Sequence, residues 1–337
     1  MLSLRMRRPA NRWHPAMPDT FFTTAPEWTI YIIPYFFVGG IAGGSYAIAA
    51  LLLWLGNAED QRVARLGFMV AFVGVILSGF LLIFDLGRPL RFWHMLFQSE
   101  RFPLPILKAW SPMSVGSWGL LLFGLFATLS ALGALGYENR YRLSRFSFLY
   151  HGKLGRIIAL VGAALGFFLA GYTGVLISVT NRPIWADTHW LGILFLVSGA
   201  STAAATLILM ARWRFKVSHE HPTLRWLNWF DGWLLIIELV LVAIFLVSLG
   251  EIARVWLSWR GLLLLVFVVM LGILLPLALH FRPAWFNDER WRLRRLVVAP
   301  VLVLIGGFFL RLVTLLASET IHVPQSGLQG PHVGVWP

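Results

Sequence analysis

The chain has 337 residues, of which 58% are hydrophobic and 13% charged, with a mean hydropathy of +0.74. That composition belongs to an integral membrane protein, and the lack of cysteine excludes disulfides, thiolate zinc sites and cysteine-ligated iron–sulfur clusters within the sequence. The net charge of +13 does not point to nucleic acid, because the basic residues fall in short connections between apolar runs, where they orient a membrane protein.

Residues 1–16 are basic but contain no long apolar core followed by a small-residue cleavage site, so no signal peptide is expected, and Met17 is an alternative start. Eight apolar runs of roughly 20 residues then follow, at about 29–55, 66–84, 113–136, 157–180, 189–211, 232–250, 261–280 and 296–317. The expected fold is an all-α integral membrane protein with eight transmembrane helices. Helices one to four, joined by five, form the bundle that holds the site. Residues 1–28 and 318–337 read as tails and 29–317 as a single transmembrane domain.

Eight crossings bring both termini to one side. The loops after helices one, three, five and seven carry 16 Lys and Arg, against 11 for the other connections and tails, or 7 if translation starts at Met17. By the positive-inside rule the richer set is cytoplasmic, so the termini and the loop after helix two lie outside.

That loop, DLGRPLRFWHMLFQSERFPLPILKAW, is the densest polar stretch of the sequence, with Asp85, Arg88, His94, Glu100 and Lys108. Its prolines and the Gly87-Arg88-Pro89 turn preclude one continuous helix and predict a shaped cap at the membrane surface. Parity brings it together with the start of helix one, the start of three and the end of four. Helix one opens with Glu27, Tyr31 and Tyr35 at intervals of four, on one face, and the row continues into Gly39-Gly40 and Gly43-Gly44, two overlapping G-x-x-x-G pairs suited to close helix packing. Helix three opens with Ser111, Ser114 and Ser117, and helix four ends in Tyr172, Thr173 and Ser178.

Each of these residues alone has an ordinary explanation: interfacial aromatics, hydroxyls bonded to their own helix, or an Asp85–Arg88 pair. Their convergence at one end of a bundle suits a quinone, which needs an apolar slot for its tail, donors for its carbonyl oxygens and a group to exchange its proton. Asp85, His94, Tyr35 and Tyr172 are of the right types. Haem is not expected, since His189 and His280 fall at opposite helix ends and His94 lies in a loop. No metal site is expected.

Glu238 lies inside the sixth run, where an ionisable residue is a functional hypothesis by default. Being about two turns from Asp231, it has two evenly weighted readings: a proton pathway, or a pair with a loop arginine near the cytoplasmic edge. Arg311, near the outer end of the eighth run, is expected to snorkel to the interface.

The motifs FVGGIAGGSY, DLGRPLRFWHML, SPMSVGSW, GYTGVLISVTNRPIWAD and HWLGILFLVSGAS, in that order over about 25–210, resemble the NrfD-like membrane subunits of polysulfide reductase type. The resemblance implies a haem-free membrane anchor in a bacterial or archaeal cytoplasmic membrane. Such an anchor exchanges electrons between the quinone pool, menaquinone or ubiquinone, and a ferredoxin-like iron–sulfur subunit on its outer face. A molybdopterin catalytic subunit or cytochrome subunits lie beyond. It further implies that Tyr172 contacts quinone, and that Tyr35 stands where some members have a histidine. Proton transfer then falls to Asp85 or His94, because tyrosine is a poor base at neutral pH. Longer members occur in alternative complex III.

The expected function is therefore that of a non-autonomous subunit of a quinone-linked oxidoreductase. Asp85 and His94 are its acid–base candidates, and Tyr35, Tyr172, Glu27, Tyr31, Arg88 and Ser114 are its quinone contacts. The alternative is a secondary transporter or proton-conducting subunit that uses Glu238, for which repeated halves and broken mid-membrane helices would be the signature.

Overall fold

The computed structural model describes residues 30–97, 108, 110–139, 142–180, 182–215, 221–281 and 289–318. Among the described residues, eight helices are long and apolar enough to cross a membrane: α1 (Ile32–Leu55), α2 (Asp60–Asp85), α3 (Pro112–Tyr137), α4 (Gly152–Ser178), α5 (Leu191–Phe215), α6 (Pro222–Ser248), α7 (Trp259–Phe281) and α8 (Glu289–Ala317). The fold is that of an all-α, multi-pass membrane protein. Short 3-10 turns at Pro89–Met95, Ser144–Leu149 and Gly250–Leu257 cap the bundle ends.

The apolar runs locate the helices but not their ends. Helix α6 starts at Pro222, well before the expected start near 232. Arg225, Asn228 and Asp231 hide this turn from a hydropathy scan, yet the segment stays helical because Pro222 sits in its first turn and Leu224 and Leu227 are buried against α1 and α5 neighbours. The consequence is that Asp231 lies within a helix and inside the protein.

Helix α1 is the axis of the first bundle, packed against α2, α4 and α5, and α5 joins that bundle to α6 and α8. The double glycine motif makes this possible in two directions. A side-chain carbon at Gly43 would collide with the Gly166 carbonyl oxygen of α4, and one at Gly44 would stand 2.7 Å from the Gly199 carbonyl oxygen of α5. Helix α1 is thus clamped between two backbones, which is the close approach that small residues permit in a membrane. Because the obstacle is backbone, Gly43→Ala is expected to lower stability by about 1–3 kcal/mol. Thermal unfolding in detergent checks this, with Gly79→Ala, which meets nothing within 4 Å, as the unaffected control.

Candidate functional site

A cavity of about 670 Å³ opens at one end of the first bundle, within the range of small-molecule sites. It collects Ile32 and Tyr35 from the start of α1, Leu82 and Asp85 from the end of α2, Met113, Gly116 and Ser117 from the start of α3, and Tyr172 and Leu176 from the end of α4. Phe92 and Met95 of the capping 3-10 turn close it on the loop side. Its walls are almost wholly apolar, with Tyr35, Asp85, Ser117, Thr128 and Tyr172 as the polar lining side chains.

Two tyrosines shape the interior. Tyr172 stacks on Phe168 with ring centroids 5.4 Å apart, lies directly on the Gly116 backbone, and donates its hydroxyl proton to the Pro112 carbonyl oxygen. Gly116 is required there, because a side-chain carbon would occupy the space of the Tyr172 ring. Tyr35 is 2% exposed, and its hydroxyl makes no hydrogen bond to the described residues while lining the cavity. A phenol with one internal partner fixes a wall, whereas a phenol without one can serve a ligand.

The other sequence candidates fall around this core of Tyr35, Asp85 and Tyr172. Ser114 is buried and staples the loop: its hydroxyl donates to the Met95 carbonyl at 3.2 Å and accepts from the Lys108 backbone N–H at 3.3 Å. It does not line the cavity. Tyr31 is 44% exposed beside Phe84 of α2, one turn above Tyr35, and does not line the cavity. Arg88 is exposed on the turn before the 3-10 segment. His94 stacks on Trp93 at 3.8 Å, with Nδ1 3.2 Å from the Arg91 carbonyl, so it flanks the cavity without forming its wall. Glu27 lies outside the described residues. Phe92, Met95 and Gly116 were not singled out from the sequence. Only the helical face that each residue presents places them here.

Glu238 belongs to a second polar cluster, across α1 from the cavity. It is 3% exposed, and its electrostatic neighbours are Ser198 of α5, Arg311 of α8 and Asp231 of its own helix. The expectation of a loop arginine at the cytoplasmic edge is therefore corrected, since the partner is a transmembrane residue. The snorkelling expectation for Arg311 is corrected too. Arg311 is fully buried, and its guanidinium donates to the carbonyls of Phe36 (3.1 Å), Gly307 (2.6 Å) and Phe195 (3.3 Å) and to Ser198 Oγ (3.2 Å). It fits because Gly40 has no side chain: a carbon there would stand 2.9 Å from Nη2. Two turns along α6, fully buried Asp231 accepts from Ser201 Oγ at 2.6 Å and lies 3.2 Å from His280 Nε2. A charged residue inside an apolar run was the available signal for Arg311.

Comparison with known proteins accords with this architecture. The family model described as "Polysulphide reductase, NrfD" matches residues 18–323. The sequence is 25% identical over 332 residues to the protein NrfD homolog of Haemophilus influenzae, an alignment that covers 90% of it and 97% of that protein. It is 25% identical over 316 residues to a polysulfide reductase chain from Wolinella succinogenes, with 90% and 96% covered. It is 24% identical over 227 residues to a selenate reductase subunit from Mesobacillus selenatarsenatis, with 58% and 50% covered. With the family model spanning nearly all of the eight-helix fold, the protein belongs to the NrfD family of polysulphide reductase membrane subunits.

Proposed function

We propose that this subunit binds quinone or quinol in the Tyr35–Asp85–Tyr172 cavity and exchanges its electrons with an iron–sulfur partner docked over the Asp85 loop. The observation that carries the reading is the cavity itself. It is apolar on nearly every wall, large enough for a quinone ring and the start of its tail, and supplied at one end with an uncommitted phenol and a carboxylate. Relatives that belong to polysulfide and selenate reductases support a respiratory complex in which a catalytic subunit lies beyond the iron–sulfur partner. The balance of Lys and Arg between the two sets of connections favours the outer face of the cytoplasmic membrane for the cavity, with both termini on that side.

A bound quinol supplies two electrons to the partner and two protons to the site. The protein's own residues do the rest. The Tyr35 hydroxyl donates to a quinone oxygen and fixes the ring. Asp85, at the end of α2 beneath the loop, exchanges the proton of the oxygen nearest it. Phe92, Met95, Met113 and Leu176 exclude water from the ring, and Tyr172 holds one wall through its bond to Pro112.

Two conservative substitutions separate these roles. Tyr35→Phe is expected to raise the quinone Kd roughly fivefold, the effect of about 1 kcal/mol for one neutral hydrogen bond, without altering the melting temperature. Tyr172→Phe is expected to lower stability by about 1 kcal/mol, with the smaller change in Kd. Quinone titration of the purified complex, followed by a thermal melt, reads both. Unchanged quinone affinity in Tyr35→Phe would remove Tyr35 from the site.

A further inference from the structure

At the membrane face opposite the quinone cavity, a smaller hollow of about 150 Å³ lies where the start of α2 meets the ends of α3 and α5. The quinone chemistry makes no use of it. Its floor is apolar, with Leu66 and Met69 from α2 and Leu135 from α3. Its rim is charged, with Arg65 from α2, Glu138 at the end of α3 and Arg214 in the last turn of α5.

The Arg65 guanidinium is held in a fixed pose. Its Nε donates to Glu138 Oε1 at 3.0 Å, its central carbon stands 4.8 Å from the centre of the Tyr137 ring, and its side chain is only 12% exposed. A guanidinium has five N–H donors, and one carboxylate cannot use them all. Among the described residues, Arg214 forms no ion pair and lies over the Phe215 ring at 5.8 Å. Two arginines against one glutamate leave the rim with a net positive charge, and Arg62, one turn before Arg65, adds to it. Asp60, in the first turn of α2, is taken up by the Thr223 hydroxyl and the Asn57 backbone N–H.

A single Arg–Glu pair at a surface is worth little and names no ligand. Here, however, two cations stand over an apolar floor at the level of the lipid headgroups. Arg65 is less than two turns into α2, and the half-exposed Tyr137 and the exposed Trp213 at the same end are interfacial aromatics. A soluble anion matches the rim but not the floor. A zwitterionic lipid matches the floor but brings its own cation to the rim. A lipid whose headgroup is anionic matches both.

We propose that this hollow binds an anionic glycerophospholipid of the leaflet opposite the cavity. The phosphate accepts from Arg65 and Arg214, Glu138 orients the Arg65 fork through Nε, and the start of one acyl chain lies on Leu66, Met69 and Leu135. The lipid thereby bridges α2 and α5 on the outside of the first bundle.

The test titrates the full chain in nonionic detergent with dioleoylphosphatidylglycerol, with dioleoylphosphatidylcholine and with inorganic phosphate, and counts bound molecules by native mass spectrometry. The expected result is one phosphatidylglycerol bound roughly 5-fold more tightly than phosphatidylcholine and not displaced by excess inorganic phosphate, the scale set by one arginine at a membrane surface. Arg214→Gln should abolish that preference. Arg145→Gln, the same charge change in the connection between α3 and α4, does not touch the hollow and should leave the preference intact. Equal affinity for the two lipids in the wild-type chain overturns the proposal, and that comparison needs no variant. Displacement by inorganic phosphate also overturns it, because the site would then serve a soluble anion. An equal loss in Arg145→Gln and Arg214→Gln overturns it as well, since the effect would then belong to the general charge of that face.

Discussion

An Asp85→Asn variant is expected to assemble with its partners, to bind quinone near the wild-type level, and to turn quinol over roughly 10²-fold more slowly, the scale of lost general acid–base catalysis. The substitution keeps the shape of the side chain and its hydrogen-bonding capacity at the end of α2, but it removes the group that can carry a proton. Asp85 is chosen over His94 on geometry. Asp85 lines the cavity with Tyr35, whereas the His94 ring is committed to Trp93 and the Arg91 carbonyl outside the wall. His94→Gln should therefore change turnover far less. The measurement is steady-state quinol oxidation by the purified complex, paired with a quinone titration to separate binding from chemistry. Unchanged turnover across pH in a correctly assembled Asp85→Asn complex would leave Asp85 as a clasp for the loop and nothing more.

The largest loss of stability is expected from Arg311→Leu, at about 3–5 kcal/mol, because removing one member of a buried charged network leaves the others unpaired. Three carbonyls, those of Phe36, Phe195 and Gly307, would lose their donor together with Ser198, and the buried Glu238 carboxyl would lose the favourable field of the guanidinium. These acceptors come from α1, α5 and α8, so the substitution should loosen the junction between the two bundles. Loss of folded protein in detergent size-exclusion and a lowered melting temperature are the readouts. The double variant Arg311→Leu, Glu238→Leu should recover part of the loss, since the buried carboxyl is then gone. A single variant that melts like the wild type would show that the network adds no net stability. Gly40→Ala tests the same cradle from the other side, because the added carbon would press on the Arg311 guanidinium.

The amino-acid sequence suffices to count the crossings, because spanning hydrocarbon demands about 20 apolar residues and eight such runs are present. It also determined which helix ends share a face, since each crossing reverses the direction of the backbone. Tyr35, Asp85 and Tyr172 could therefore be grouped before any coordinates. The paired glycines of α1 announced close packing in advance, because only they admit a neighbouring backbone.

The rotation of each helix about its axis, by contrast, emerges only from packing. In water, an amphipathic stripe reveals that rotation. In lipid, both the core face and the lipid face are apolar, and the stripe disappears. Tyr31 and Tyr35, four residues apart on one face, differ instead in depth, since Tyr31 stands at the very start of α1 and is exposed while Tyr35 lies one turn inside and is buried. The same degeneracy hid the turn of Ser114 toward the loop rather than the cavity. Nor does the sequence name partners across helices. Glu238 sits two turns from Asp231 along α6, but Arg311, 73 residues away on α8, becomes its neighbour only in the folded bundle, where Gly40 leaves space for the guanidinium and Ser198 accepts a hydrogen bond from it. A charge in an apolar run is legible as costly from composition alone, whereas its neutralising partner is a property of three-dimensional packing.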